Sequence, residues 1–183
     1  MFEAVDKKLE RAAYCLENLK TLASEAKEFA HIPADKQQAM RANLDCFFFE
    51  IISAKDFFLQ GINDKYAGLP RDEGTHIDKL KGCLRCKNAN DALGVIESIE
   101  GELREKTSWL WRLNNYRNSA THRELLHMSH VANLADPYVK TYLFKDPEDS
   151  SQGNADMEVM PYCEQSLKDM KSYLEGLYSK LNI

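Results

Sequence analysis

The stretch from residue 35 to residue 60 constrains the fold most, because apolar residues surround nearly its whole circumference when it is drawn as a helix. Six apolar residues keep the helical period, namely Met40, Leu44, Phe47, Ile51, Ala54 and Phe58. Four more widen the apolar arc, namely Phe48, Phe49, Ile52 and Phe57. A helix that is apolar nearly all round lies among other helices. We therefore expect a central helix over about 35–60, with Gly61 as its C-terminal cap.

Charged residues interrupt this apolar segment at two places, Glu50 and the adjacent Lys55 and Asp56. A charge inside a helical bundle is costly unless an opposite charge or hydrogen bonds compensate it. If these side chains point inward, they need partners. Arg117, much further along the chain, is a candidate partner.

Other segments supply helices to surround the central one. Residues 2–30 carry an apolar stripe in steps of three and four, and Pro33 ends that pattern. A short helix is predicted over 75–84, and a third long helix runs from Asn90 and Asp91 to Tyr116. A further short helix is predicted over 119–130. The last helix starts near Pro161, which suits a first helical turn.

The segment before the last helix has a different composition. Residues 138–144 are rich in β-branched and aromatic side chains and predict a strand. Residues 146–156 are polar and predict a loop, and residues 157–160 predict the return strand of a hairpin. The sequence thus predicts an all-α fold: an up-and-down bundle of four to five helices with a small β-hairpin before the C-terminal helix. Residues 1–183 form a single domain in this prediction.

The overall balance of residues excludes several classes of protein. A net charge of −5 argues against broad, non-specific nucleic-acid binding. No apolar run approaches the roughly 18 residues that a membrane span needs. The N-terminus lacks the layout of a signal peptide, so we expect a cytoplasmic protein without a membrane partner.

The five cysteines are an odd number and do not indicate a disulfide framework. Cys15 and Cys46 stand among apolar residues, and we interpret them as small core side chains. Cys83 and Cys86 form a lone CxxC without the second ligand pair of a zinc site. We interpret this pair as thiols in a loop or at a helix end.

Residues 114–122 hold the most reactive combination of side chains, an arginine and a histidine with four residues between them. Arg117 offers a fork of donors that matches phosphate oxygens. Histidine side chains in general titrate near neutral pH, so a histidine at position 122 can move a proton. Asn118 can orient the histidine or contact the phosphate. We expect these residues to bracket a break between two helices and to bind and cleave a phosphodiester.

The run from Arg117 to His122 resembles the motif of the HEPN superfamily, in which an arginine and a polar residue precede a histidine at this spacing. The resemblance covers residues 1–130 in architecture. It implies a metal-independent endoribonuclease that works as a homodimer, with both motifs in one composite cleft. Arg117 would then steady the phosphate, His122 would be the general acid or base, and Asn118 the polar helper. RNA would be the substrate, with neither a cofactor nor a metal ion.

Two other functions stay open at this point. Some proteins similar to HEPN domains are non-catalytic modules, and such a module would bind a nucleotide or a partner protein, such as a nucleotidyltransferase-like antitoxin. Glu124 and the acidic surface favour this alternative, since toxin members carry a tyrosine at the position of Glu124. Trp109 and Trp111 lie on different faces, so at least one of them would form an interface or groove wall. In the second alternative, a housekeeping domain, Arg117 pairs with Glu50 or Asp56 in the core.

Three weaker patterns in the sequence fit plain structural roles better than functional ones. Three histidines lie close together in sequence but do not repeat the spacing of a known metal-ligand motif; they are His122, His127 and His130. Four basic residues resemble a phosphate-binding patch, but interspersed acidic residues favour an ordinary solvated surface; they are Lys79, Lys81, Arg85 and Lys87. Three aromatic residues on the predicted strand suit core packing better than base stacking; they are Tyr138, Tyr142 and Phe144.

Overall fold

A computed structural model describes residues 2–29, 31–122, 128–132, 140–144 and 157–181. Within these residues the chain is a bundle of α-helices with one small antiparallel sheet, which confirms the predicted all-α class. The helices are α1 (Phe2–Glu25), α2 (Ala34–Ile62), α3 (Ile77–Cys86), α4 (Asn90–Arg104), α5 (Trp109–His122) and α6 (Val159–Ser179). The strands are β1 (Met128–Ala132), β2 (Lys140–Phe144) and β3 (Met157–Glu158).

Helix α2 lies at the centre, as the sequence predicted. It packs along α1 over the largest interface in the described part of the chain and also contacts α5 and α6. The six residues that set its helical period are all inaccessible to solvent, and so are Phe48 and Ile52. Phe49 and Phe57 are each 44% exposed, so the apolar arc is wider than the buried face. The ammonium of Lys8 lies 5.4 Å and 5.6 Å from the centres of these two rings.

The C-terminal end of α2 differs from the prediction. Gly61 is buried inside the helix and is not its cap. The chain continues through a π-helical turn, Asn63–Ala67, and reverses at Gly68, whose φ of 73° lies in the left-handed region that favours glycine. The fully buried Asn63 side chain exchanges two 2.9 Å hydrogen bonds with the backbone of Leu69. These bonds hold the following turn against α2.

The predicted long helix from Asn90 to Tyr116 is wrong, because the chain forms two helices there. Glu105 leaves the helix with an extended backbone. The backbone N–H and hydroxyl of Thr107 both donate to its carboxylate, and the Ser108 hydroxyl accepts from the N–H of Leu110 at 3.1 Å. Such local bonds from side chain to backbone compete with helical ones. They end α4 and cap α5 at its N-terminus.

The predicted hairpin is present, and a third strand extends it. Strand β2 pairs antiparallel with β3, with Leu143 opposite Glu158. The helix predicted over 119–130 is confirmed for residues 119–122, which belong to α5, and is wrong for residues 128–130, which lie in β1; residues 123–127 lie outside the described ranges. All five residues of β1 pair with residues of β2. The sheet therefore supplies the backbone hydrogen-bond partners that a helix would supply instead. None of the described helices is both long enough and apolar enough to cross a membrane.

Candidate active site

Helix α5 runs unbroken through the motif, so the predicted break between two helices at Arg117 and His122 is wrong. Each helical residue advances about 100° around the axis, which places positions 117 and 122 about 140° apart. Positions 118 and 122 differ by one turn and share a face. The backbone therefore brings Asn118 and His122 together rather than Arg117 and His122. The side chain of His122, the predicted general acid or base, lies outside the described residues.

The rotation of α5 is fixed by the residue that precedes the arginine. Tyr116 is completely buried and is the largest such side chain in the described core. Its ring centre lies 5.3 Å from that of Phe48 on α2 and 5.5 Å from that of Tyr162 on α6, the latter in edge-to-face geometry. Aromatic clusters of this kind combine large apolar burial with defined ring orientations. Because Tyr116 is anchored between α2 and α6, the next side chain lies at the edge of that contact.

Arg117 lies at this edge, beside α2. Its Nη2 atom is 3.8 Å from Oδ2 of Asp56, and its Nη1 atom donates to Oδ1 of Asn118 at 3.1 Å. Lys55 contacts the other oxygen of Asp56 at 2.9 Å. Asp56 thus contacts two cations, one on its own helix and one on α5. The Arg117 side chain is 27% exposed, and the Nε atom of its guanidinium is buried.

Glu50 does not pair with Arg117. Its carboxylate accepts a 2.7 Å hydrogen bond from Lys8 of α1, and the two side chains are only 11% and 13% exposed. The prediction that Asp56 contacts Arg117 is confirmed, but this contact lies at the surface and not in the core. The buried carboxylate of Glu50 is therefore compensated by α1, the buried ammonium of Lys55 is compensated by Asp56, and the contact of Arg117 with Asp56 is the longer one.

A cavity of about 800 Å³ opens beside Asp56, between the start of α1, the end of α2 and the turn after it. Residues of both charges and one aromatic ring line it, including Glu3, Asp56, Phe57, Asp64, Lys65 and Arg71. Asp56 thus lies between this cavity and the Arg117 guanidinium. No local sequence pattern predicts this cavity, because its walls come from three separate segments. Among the segments that line the cavity, only the one after Gly68 has a local sequence pattern, a cluster of residues typical of turns.

The other predicted surfaces have structural partners. Trp109 packs edge-to-face against Tyr173 of α6 at 5.7 Å, which leaves Trp111 as the better candidate for an interface. The basic residues of α3 and its C-terminal end are engaged: Lys79 with Glu73, Lys81 with Glu100, Arg85 with Glu97, and Lys87 with the carbonyl of Ala67. Tyr142 is buried, as core packing predicted. Tyr138 lies outside the described residues, and so does the side chain of Phe144.

No group of three or more histidine, cysteine or acidic side chains in the described ranges is placed to hold a metal ion. His127 and Glu124 lie outside those ranges, as does the side chain of His130. The chain matches no protein-family model, no curated protein and no solved structure at a significant level. The HEPN interpretation therefore rests on the residues of α5 and on the helical architecture alone.

Proposed function

We propose that this chain is a HEPN-like endoribonuclease of the cytoplasm that cleaves RNA without a metal ion. It acts as a homodimer, and the α5 helices of both copies line one cleft. The observation that carries this proposal is the placement of Arg117, whose guanidinium is held in a defined orientation while the side chain keeps 27% exposure. Asp56 and Asn118 restrain its guanidinium, and Lys55 offsets the carboxylate. A phosphate oxygen can replace the 3.8 Å contact with Asp56 at little cost, because exposed ion pairs are weak.

The helical geometry of the motif supports the homodimer. Within one copy, positions 117 and 122 point about 140° apart around α5, so a single helix does not direct both groups at one phosphate. A second copy related by a two-fold axis brings its own histidine opposite the first arginine. In this arrangement Arg117 of one protomer and His122 of the other act on the same bond.

The chemistry is a transfer within the RNA strand. His122 accepts the proton of a ribose 2′-hydroxyl, and the oxygen attacks the adjacent phosphorus while the bond to the 5′-oxygen breaks. Arg117 stabilises the charge that develops on the phosphoryl oxygens, and Asn118 orients the reacting groups. The products are a 2′,3′-cyclic phosphate and a 5′-hydroxyl end.

The test is cleavage of a pool of varied RNA sequences in excess EDTA. Removing a donor to the developing charge costs about 100-fold to 1,000-fold in rate, which we expect for Arg117→Ala. We expect a comparable loss for His122→Ala. Arg112→Ala on the same helix and His76→Ala on an exposed loop are the matched controls and should cleave like wild type. Wild-type protein that leaves the pool intact, or Arg117→Ala protein that cleaves normally, would contradict the proposal.

The cavity beside Asp56 favours a second candidate function, a non-catalytic module that binds a nucleotide. Phe57 presents a partly exposed ring for base stacking, and the exposed Arg71 offers a fork of donors for phosphate. We expect Arg71→Ala to weaken ATP binding about tenfold or more in calorimetry, since hydrogen bonds to charged groups contribute about 1.5–3 kcal/mol. Arg85→Ala, which alters an arginine paired with Glu97 away from the cavity, is the control. If the chain is such a module, the His122→Ala variant should bind ATP as tightly as the wild-type protein.

A further inference from the structure

Two of the five cysteines are in direct contact. Cys15 on α1 is buried, and Cys46 on α2 is exposed, which corrects the prediction that both are core side chains. Their Sγ atoms lie 2.7 Å apart. This is closer than unbonded sulfur atoms ordinarily approach. The sulfurs need to move by less than about 1 Å to reach the covalent distance of about 2.05 Å.

The remaining cysteines have other environments. The thiol of Cys83 donates to the carbonyl of Ala67 at 3.4 Å, and this bond joins the CxxC to the turn after α2. Cys86 is exposed at the end of α3. Cys163 is buried in α6, and burial raises the pKa of its thiol far above the usual range. The contact between Cys15 and Cys46 therefore stands out among the described cysteines as a pair ready for covalent bonding.

We propose that Cys15 and Cys46 form a reversible disulfide between α1 and α2, through exchange with a small-molecule disulfide such as oxidised glutathione. The exposed Cys46 thiolate attacks one sulfur of the reagent, whose S–S bond breaks and releases one small thiol. Cys15 then loses its proton and attacks Cys46 Sγ, and the second small thiol leaves. Two protein thiols are oxidised and one small disulfide is reduced to two thiols.

The surroundings of the pair set the order of the two steps. The reagent reaches Cys46 first because Cys15 is buried beneath it. Burial, together with the hydrogen bond to Cys46, raises the pKa of Cys15 to about 12. Thiolate is the attacking form, so the second step is the slower one at neutral pH. The product joins the two helices that share the largest interface, and it restricts the unfolded chain.

The experiment starts from fully reduced protein and adds oxidised glutathione. We expect the count of thiols in denaturant to fall from five by at least two, the two thiols of Cys15 and Cys46. In a non-reducing tryptic digest, peptide 12–20 should be linked to peptide 42–55, since cleavage follows Arg11, Lys20, Arg41 and Lys55. The oxidised protein should unfold at a higher temperature than the reduced protein. Cys86→Ser, which alters another exposed cysteine, is the control and should give the same link and the same rise.

Variants at the buried position separate a disulfide from simple reactivity of Cys46. In Cys15→Ser and Cys15→Ala, glutathione should stay attached to Cys46 and the unfolding temperature should not rise. The alanine variant provides the test if serine disturbs the core. Cys46→Ser should form neither the link nor this adduct. The proposal is overturned if wild type yields no link between the two peptides, or if wild type keeps glutathione on Cys46 to the same extent as Cys15→Ala.

Discussion

Two of the ion pairs on α2 link it to neighbouring helices about two turns apart, and they differ in length and in exposure to water. Glu50 meets Lys8 at 2.7 Å, and both side chains are nearly inaccessible. Asp56 meets Arg117 at 3.8 Å, and 30% and 27% of the two side chains are exposed. Both pairs link α2 to a neighbouring helix. The first is closed against water and the second is open to it.

The difference indicates that the Lys8–Glu50 pair has a structural role, whereas Arg117 can also contact a ligand. A charge pair removed from water has to remain intact, because either partner alone would be buried without compensation. An exposed pair contributes little to stability, so one partner can exchange its contact for another. The contact of Arg117 with Asp56 can therefore give way to a ligand phosphate more readily than the contact of Lys8 with Glu50.

Among substitutions at these contacts, Glu50→Ala should lower the free energy of unfolding most. It leaves the Lys8 ammonium in a nearly closed site beside the rings of Phe49 and Phe57, and we expect a loss of about 3 kcal/mol in the free energy of unfolding. Urea denaturation measures this loss. Glu10→Ala, an exposed carboxylate on α1, is the control and should change stability by less than about 0.5 kcal/mol. Equal effects of the two changes would show that the Glu50 pair is not closed.

A neutral contact at the end of α2 should have a smaller effect than the buried charge. Asn63→Ala removes both hydrogen bonds to the backbone of Leu69, and we expect a loss of about 2 kcal/mol. The turn that lines the cavity beside Asp56 should loosen as well. Hydrogen exchange of the amides in residues 68–75 should become faster in this variant. Unchanged exchange there would mean that Asn63 does not hold the turn.

The smallest effect should come from the open pair, and double-mutant cycles place both pairs on one scale. We expect Lys8 and Glu50 to couple by about 1–2 kcal/mol when each is changed to alanine. Arg117 and Asp56 should couple by less than about 0.5 kcal/mol. The cycle thereby separates the contact of Arg117 with Asp56 from the other contacts of the Arg117 side chain, such as its bond to Asn118. A coupling above about 1 kcal/mol for the open pair would contradict the comparison.

Apolar periodicity was enough to predict the central helix and the all-α class. The repeat from Met40 to Phe58 places these residues on a buried face whatever surrounds them. The same repeat could not show that Phe49 and Phe57 stay exposed, because the width of an apolar arc does not determine how much of it neighbouring helices cover. The break before α5 was missed for a related reason. The stripe from Ile96 and Leu103 continues in register to Leu110, and only local bonds around Glu105 and Ser108 interrupt it.

Long-range partners were the other part that the sequence left undetermined. Lys8 lies 42 residues from Glu50, and the sequence does not distinguish it from the other lysines and arginines as the partner of that carboxylate. Strand β1 is short and forms only because β2 lies beside it, so its own five residues gave a weak signal. At the candidate site, the identities of Arg117 and Asn118 were predictable from the motif. Their orientation was not, because it depends on Tyr116 packing between two other helices.

The central claim is that Arg117 of one copy acts with His122 of a second copy. Mixing inactive Arg117→Ala and His122→Ala chains tests it most directly, with subunit exchange verified by native mass spectrometry. In an equal mixture, half of all dimers contain one chain of each variant, and each of these dimers keeps one of its two Arg–His pairs. The account therefore predicts recovery of roughly a quarter of wild-type RNA cleavage. A mixture that exchanges subunits yet stays as inactive as either variant alone would contradict it.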